Sequence, residues 1–369
     1  MLKNCMGIIN LDENEDRIRE LTRNRSLASV PIAGRYRIID FILSNMTNAG
    51  IDNIGIFTKM QSRSLMDHLG NGRPWDLNRK IDGLRTFNFA HINPEIDDIY
   101  NFSSNIEYFY KSKQEYIILS SSYMICNIDF KKAVDFHQNS ENDVTVIYKK
   151  VVNADKNFLL CEVLNIDDDG RLQSVGKNIG NMQDANICME IYIMKKDLFI
   201  ELVREGVTTG NFRKVKNAIY NSLDRYRVGT YEFKGYLRCI NSLKAYYKTS
   251  MELLNHGIRK QLFLDERPVY TKASDEVPAR YYENSDVKNS IIGNGCIIEG
   301  NIENSIIFRK VKVGKGVVLK NCIVLQNGII GNGSKLTNII TDKYVEIAPG
   351  KELKGDEDIP LVVEKKRIL

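Results

Sequence analysis

The chain has 369 residues, 43% hydrophobic and 27% charged, a globular profile with length enough for two cores. Its 52 lysines and arginines are spread among 47 acids, a net charge of +5 with no basic arm, which argues against nucleic acid as a partner. The 7 cysteines are scattered and odd in number, so neither a disulfide framework nor a zinc site is expected; no membrane span or secretory leader is read either, and a cytoplasmic protein is expected.

From the N-terminus, "CMGIINL" (residues 5–11) reads as a buried strand, followed by the loop Asp12-Glu13-Asn14-Glu15-Asp16 and a helix start. Strand, loop and helix in that order often frame a phosphate, because a helix N-terminus attracts anions. Here carboxylates stand where such a loop needs glycines and bare amides. An acidic turn opening a helix is favourable in its own right. In "RIIDFILSNMTNAG" (37–50), Ile38, Ile42 and Met46 recur every four residues with Ile39 and Leu43 beside them, one buried helical face that stops at Gly50. The segment "SRSLMDHLG" (62–70) is a further helix, and "NIGIFT" (53–58), "EYIILS" (115–120), "DVTVIYKKV" (143–151) and "ICMEIYIM" (187–194) are further strands. Strands alternating with helices predict an α/β domain, mixed but mostly parallel, over 1–265.

The texture changes beyond it. Residues 266–284 hold two prolines and no clear period, and read as a linker. From 285 to 369 a six-residue period appears: Ile307, Val313, Leu319 and Leu325 in one series, Val311, Val317, Ile323 and Ile329 in another. Glycine turns accompany them at Gly293 and Gly295, Gly314 and Gly316, Gly331 and Gly333. Hexapeptide spacing predicts a left-handed parallel β-helix, one triangular coil for every three repeats, with the aliphatics stacked inside. Acyltransferases built on such helices use a histidine between coils. His68, His91, His137 and His256 all lie outside the repeats, which argues against that activity.

An N-terminal nucleotide-type domain joined to a β-helix resembles the sugar-phosphate nucleotidylyltransferases. The words "LTRNRSLASVPIAGRYRIIDFILSNMTNAGI" and "GNGRPWDLNRK" are similar to segments of the ADP-glucose pyrophosphorylases, and the likeness runs over nearly the whole chain. It implies a nucleotide-diphospho-sugar transferase-like, Rossmann-like first domain. Within the family the resemblance is to the GlgD-type branch, found beside a catalytic GlgC-type subunit.

That narrower resemblance rests on substitutions. Active members carry a phosphate loop G-G-x-G-x-R-L; aligned on Arg17 and Ile18, its glycines fall on Asp12, Glu13 and Glu15. Side chains there block close backbone approach, and their charge repels a triphosphate. Leu27 stands where the family's "RAKPAVP" has its lysine. The aspartate of the family's "LSGD" is replaced by Ser122 in Leu119-Ser120-Ser121-Ser122, and that of "EDIGT" by Cys239, with Arg238 before it. Phosphoryl transfer of this kind needs Mg²⁺ held by hard anionic oxygens, and a hydroxyl and a thiol are poor substitutes. Lys177, in Gly176-Lys177-Asn178, keeps the cation of the sugar-phosphate word "EKP", and Arg17 survives; both are candidate residual contacts to a sugar phosphate, or solvated cations. Arg37, Lys310 and Lys312 match basic positions of the family's anion-effector region, or are cations on a polar face.

The resemblance implies a non-catalytic subunit that assembles with a GlgC-type partner, as a heterotetramer, and modulates formation of ADP-glucose from ATP and glucose 1-phosphate in glycogen synthesis. On this reading the chain needs no cofactor, Mg²⁺ sits on the partner, and a small phosphorylated effector is expected. An active nucleotidylyltransferase with a rebuilt site, and a stand-alone sensor of sugar phosphates or nucleotides, are the alternatives.

Overall fold

The apolar runs of the first two-thirds become the strands of a single sheet in the computed structural model, which describes residues 1–58, 63–88, 98–263 and 266–369. His91 lies outside the described residues. Contacts group the chain into two compact units: 1–13, 41–239 and 266–270 in the first, and 14–40, 240–265 and 271–369 in the second. The sequence reading placed 14–40 and 240–265 with the first domain and 266–284 in a linker. Among the described residues no helix is long and apolar enough to cross a membrane.

In the first unit, strand Cys5–Leu11 lies between Asn53–Thr58 and Tyr116–Ser120, parallel to both. Gly83–Asn88 adds a parallel edge. On the other side, Ala185–Lys195 runs antiparallel to Tyr116–Ser120 and to Val144–Val151, which Val228–Glu232 extends in parallel. The β-branched and aliphatic composition of these runs suits strands covered on both faces. Cys5–Leu11 and Asn53–Thr58 are accordingly almost wholly buried. Phe102, Phe109, Phe199, Leu202 and Val203 pack from helices onto Met6, Ile8, Ile117 and Leu119 of the sheet. Helix Ile39–Asn48 forms where the four-residue spacing placed it.

In the second unit, fifteen short strands build a parallel β-helix of three five-stranded sheets, beginning at Arg280–Tyr281. The period differs from the simplest form of the expectation. Val313 pairs with Ile330, Leu319 with Leu336 and Ile307 with Val324, so these coils advance by seventeen residues and not eighteen. The six-residue series therefore slips by one per coil. Ile307, Val313 and Leu319 point into the core, but Ile329 at the end of the second series is 39% exposed on an outer face.

Each coil turns at corners of left-handed backbone. One corner column is Asn289, Asn304, Asn321 and Asn338, with φ between 43° and 54°, and its side chains bond from coil to coil (Asn321 Nδ2 to Asn338 Oδ1, 3.0 Å). Asparagine tolerates this region better than other side chains and can ladder its amide, which glycine cannot. A second column holds Gly316, Gly333 and Gly350, with φ of 70° to 73°. One sheet shows its outer aliphatics, Ile306, Ile323 and Ile340, fully buried in spite of their outward register. Residues of 14–40 and 240–263 lie against this part of the β-helix. Tyr247 donates to the carbonyl of Asn321 (2.7 Å), Tyr246 donates to that of Pro31 (2.7 Å), and a β-carbon on Gly34 would come within 3.0 Å of Ile291.

Candidate functional site

Parallel register sets the geometry of the first unit's site. Ile9 pairs with Ser120, so the residues that follow the two strands, Asp12-Glu13 and Ser121-Ser122-Tyr123, leave the sheet side by side at its carboxyl edge. In open α/β sheets this is where ligands bind. Here the Glu13 carboxylate accepts two hydrogen bonds from Ser122, from its N–H and from its hydroxyl, both at 2.7 Å. Ser122 is fully buried. Asp12 is paired with Lys214, Oδ2 to Nζ 2.6 Å, just before the helix Val215–Tyr220. The first two acids of the loop are thus turned inward onto protein groups.

The third acid is held in the second unit. The backbone N–H of Leu27 donates to Glu15 Oε1 at 2.6 Å. Burial raises the Glu15 carboxyl above its usual range, while that N–H and the Thr22 hydroxyl oppose the rise. Leu27 itself is fully buried on the short helix Leu27–Ser29, an apolar core position. Arg17 is exposed on the turn Asp16–Ile18.

Cys239 reaches the first unit's site by a second pairing. Strand Leu237–Cys239 runs antiparallel to Met124–Cys126 with Cys239 opposite Met124, two residues beyond Ser122. Cys239 and Cys161 are 5% and 2% exposed. Burial pushes the Cys239 thiol well up, and its hydrogen bond with Cys161 and the nearby Glu190 and Glu13 carboxylates add to the rise. A thiol held protonated and a serine hydroxyl already engaged by Glu13 offer Mg²⁺ no anionic oxygen. The donor set at these two positions does not fit that ion.

The remaining candidates lie apart from this cluster. Lys177 is exposed at the end of strand Leu172–Lys177. In the second unit, Lys310 sits at a β-helix corner with its ammonium 2.9 Å from Glu276, and Lys312 is exposed on an outer face. Arg37, on the hairpin strand Tyr36–Arg37, lies near a lysine that the sequence reading did not select, Lys343. Lys343 falls on the same corner column as Arg309 and Lys365, each preceding a left-handed residue (Lys310, Tyr344, Lys366). Burial and the neighbouring Arg37, Arg25 and Lys365 push Lys343 down to about 7, against the opposing pull of Asp342.

Arg25 completes this cation cluster. It is 2% exposed, its Nη2 lies 2.7 Å from both oxygens of Asp342, and its Nη1 has no hydrogen-bond partner among the described residues. One buried carboxylate thus faces Arg25, Lys343 and Lys365, and Arg37 adds its charge beside Lys343. Coil stacking brings Lys343 and Lys365 together, and folding brings Arg25 and Arg37 to them from about three hundred positions away in sequence. Of the histidines, His137 is buried beside Thr145 and His68 beside Trp75, while His256 opens a helix.

Comparisons with known proteins agree with this layout. Residues 15–171 match the nucleotidyl transferase family model, and 276–359 match the GlmU-like C-terminal hexapeptide model. The chain is 38% identical to the glycogen biosynthesis protein GlgD of Bacillus subtilis, over 98% of this chain and 95% of that protein. It is 37% identical to the protein of the same name from Geobacillus stearothermophilus, over 99% and 97%. With the glucose-1-phosphate adenylyltransferase of Acetivibrio thermocellus the identity is 29%, over 93% of this chain and 82% of that enzyme. The chain belongs to the GlgD-type proteins of the glucose-1-phosphate adenylyltransferase family.

Proposed function

We propose that this chain serves glycogen biosynthesis as a non-catalytic subunit that assembles with a catalytic GlgC-type partner and modulates it. The names of its relatives support the role in glycogen biosynthesis. The observation that carries the non-catalytic part is the Glu13 carboxylate seated on Ser122, with both 2.7 Å hydrogen bonds made by protein atoms. An anionic triphosphate brought to this edge meets a fixed negative charge in a partly buried setting, where repulsion is poorly screened. Each further change acts in the same direction: Leu27 supplies no cation, and Cys239 supplies no metal ligand.

On this reading the partner holds Mg²⁺ and converts ATP and glucose 1-phosphate to ADP-glucose and pyrophosphate in the cytoplasm. This chain contributes an interface in a mixed tetramer and a bias on the partner's conformation. The bias is set by a small phosphorylated effector. The cations that suit it best are Arg25, Arg37, Lys343 and Lys365, clustered about Lys343 with the buried Asp342 among them, in place of the sequence-selected Lys310, whose ammonium is already engaged by Glu276.

The test is ADP-glucose formation by the purified chain alone, by the partner alone and by the mixture. The chain alone is expected to be inactive, and the mixture to differ from the partner in its effector response. Mg²⁺-dependent turnover by the chain alone, at a rate near the partner's, sinks the reading; so does a mixture that forms no complex and behaves as the partner does. Ser122→Asp with Cys239→Asp is expected to stay inactive while Glu13 remains. Substantial activity in that double variant would show that the metal positions, and not the loop, close the site.

A further inference from the structure

The turn Ser121-Ser122-Tyr123 meets a second carboxylate besides Glu13, and its backbone is strained. Glu190 lies at a bulge of strand Ala185–Lys195, where the pairing with Val144–Val151 skips from Cys188 to Ile191, and its φ is 51°. Left-handed backbone at a residue other than Gly, Asn or Asp costs of order 1 kcal/mol and persists only where the surroundings impose it. Here they do. The Glu190 carbonyl accepts from the N–H of Ser121 at 3.3 Å, and its own N–H points to Cys188 Sγ, also at 3.3 Å. Its carboxylate, 17% exposed, lies 2.9 Å from Lys216 Nζ and is hydrogen-bonded with Tyr123.

Lys216 does not need this partner. Its ammonium already lies 2.8 Å from Glu162, whose other oxygen accepts from Tyr220 at 2.8 Å. One carboxylate is enough to neutralise a half-buried lysine, so the second brings an excess negative charge to the carboxyl edge of the sheet. It does so from a strained backbone. Lys216 and the Tyr123 hydroxyl are the donors that a compact dianion would use, and Glu190 stands against both.

We propose that Glu190 is a built-in occupant of a phosphomonoester subsite: its carboxylate takes the phosphate's place against Lys216 and Tyr123, and so keeps that class of ligand away from them. The inference rests on the non-catalytic reading proposed above and extends it from Ser122 to a residue acting through exclusion. No covalent step is involved. Two fixed carboxylates, Glu13 and Glu190, then occupy the two sides of one turn.

Glu190→Gly tests it, because glycine accepts a φ of 51° without strain and the variant is expected to fold at least as well as the wild type. Calorimetric titration with inorganic phosphate and with glucose 1-phosphate is expected to give affinity at least about tenfold higher in Glu190→Gly than in the wild type. Adding Lys216→Met is expected to return the affinity to the wild-type level. Glu190→Ala, which empties the same space without easing the backbone, is expected to show the same gain in binding with a lower melting temperature than Glu190→Gly. Folded glycine and alanine variants that bind phosphate no better than wild type overturn the proposal, as does a double variant that binds as well as Glu190→Gly. A gain in melting temperature without a gain in affinity overturns it too, leaving Glu190 a strained structural residue. None of these outcomes touches the reading of the whole chain, which falls on wild-type turnover alone.

Discussion

Lys343 has its charge shifted first by burial and then by its cationic neighbours. Buried near Arg37, Arg25 and Lys365, its ammonium loses its proton near pH 7 in the folded state, against an ordinary value of 10.5. Below pH 7 both folded and unfolded chains carry the charge, and the full cost of burying it is present. Between about 7 and 10.5 the unfolded chain binds more protons than the folded one, so stability rises with pH across that window. Lys343→Met removes the titrating group while leaving Arg25, Arg37 and Lys365 charged. From pH 6.5 to 9, the unfolding free energy of the wild type is expected to rise on the order of 2 kcal/mol more than that of Lys343→Met. Parallel profiles in urea titrations of the two proteins would refute this. How much of the site could be read from residues alone follows from the same contrast. Glu13, Leu27, Ser122 and Cys239 were singled out only because the family resemblance supplies motifs to align them with. The bond from Ser122 to Glu13 spans 109 residues and the pair of Arg25 with Asp342 spans 317, and both depend on folding that local pattern does not encode. Glu190 was invisible for another reason: its left-handed φ arises from a bulge against a separate strand, and its letter sits inside an apolar run that reads as a regular strand.

At the scale of elements, the period of the apolar residues carried most of the information. Asn53–Thr58 forms as the sequence outlines it, because a continuous β-branched and aliphatic run buried on both faces has few other solutions. The strands Gly83–Asn88, Glu162–Ile166 and Leu172–Lys177 were not expected, since they are edge or near-edge strands with polar, exposed residues and weak alternation. The coil length was misjudged for a physical reason. Inward aliphatics need a six-residue spacing only along each side, and a corner that closes in one residue fewer shifts the phase while keeping the stack. The corners then become the demanding positions. Asn321 has a φ of 53° and donates through Nδ2 to Asn338 Oδ1. Asn321→Gly keeps the backbone and loses one side-chain bond, an expected cost of about 1 kcal/mol or less. Asn321→Val forces a β-branched residue into left-handed space and is expected to cost about 2–3 kcal/mol. Equal losses for the two variants in thermal or urea unfolding would show that the ladder bond, and not the backbone, governs the corner.

At the scale of the whole molecule, the proposed function has a chain without turnover influence its partner's reaction only through coupling free energy, and coupling has a property that catalysis lacks. If a phosphate-bearing effector bound at Arg25, Arg37, Lys343 and Lys365 tightens the partner's hold on ATP by some factor, ATP on the partner must tighten the effector's hold on this chain by the same factor. The expected size is of order tenfold, within the range of about 1–3 kcal/mol typical of such couplings. Two titrations of the mixed complex measure it: ATP with and without saturating effector, and effector with and without saturating ATP. A non-hydrolysable ATP analogue avoids turnover. Equal factors are expected in the wild type. In a complex carrying Lys343→Met in this chain, both factors are expected to fall towards one, while the complex itself persists in sedimentation. Lys343→Met removes one titrating ammonium from a cluster that still holds Arg25 bound to Asp342, so assembly and fold have no reason to fail with it. An effector response that survives Lys343→Met undiminished in both directions places the effector on the partner. This chain would then be left with an interface and no part in reading the effector.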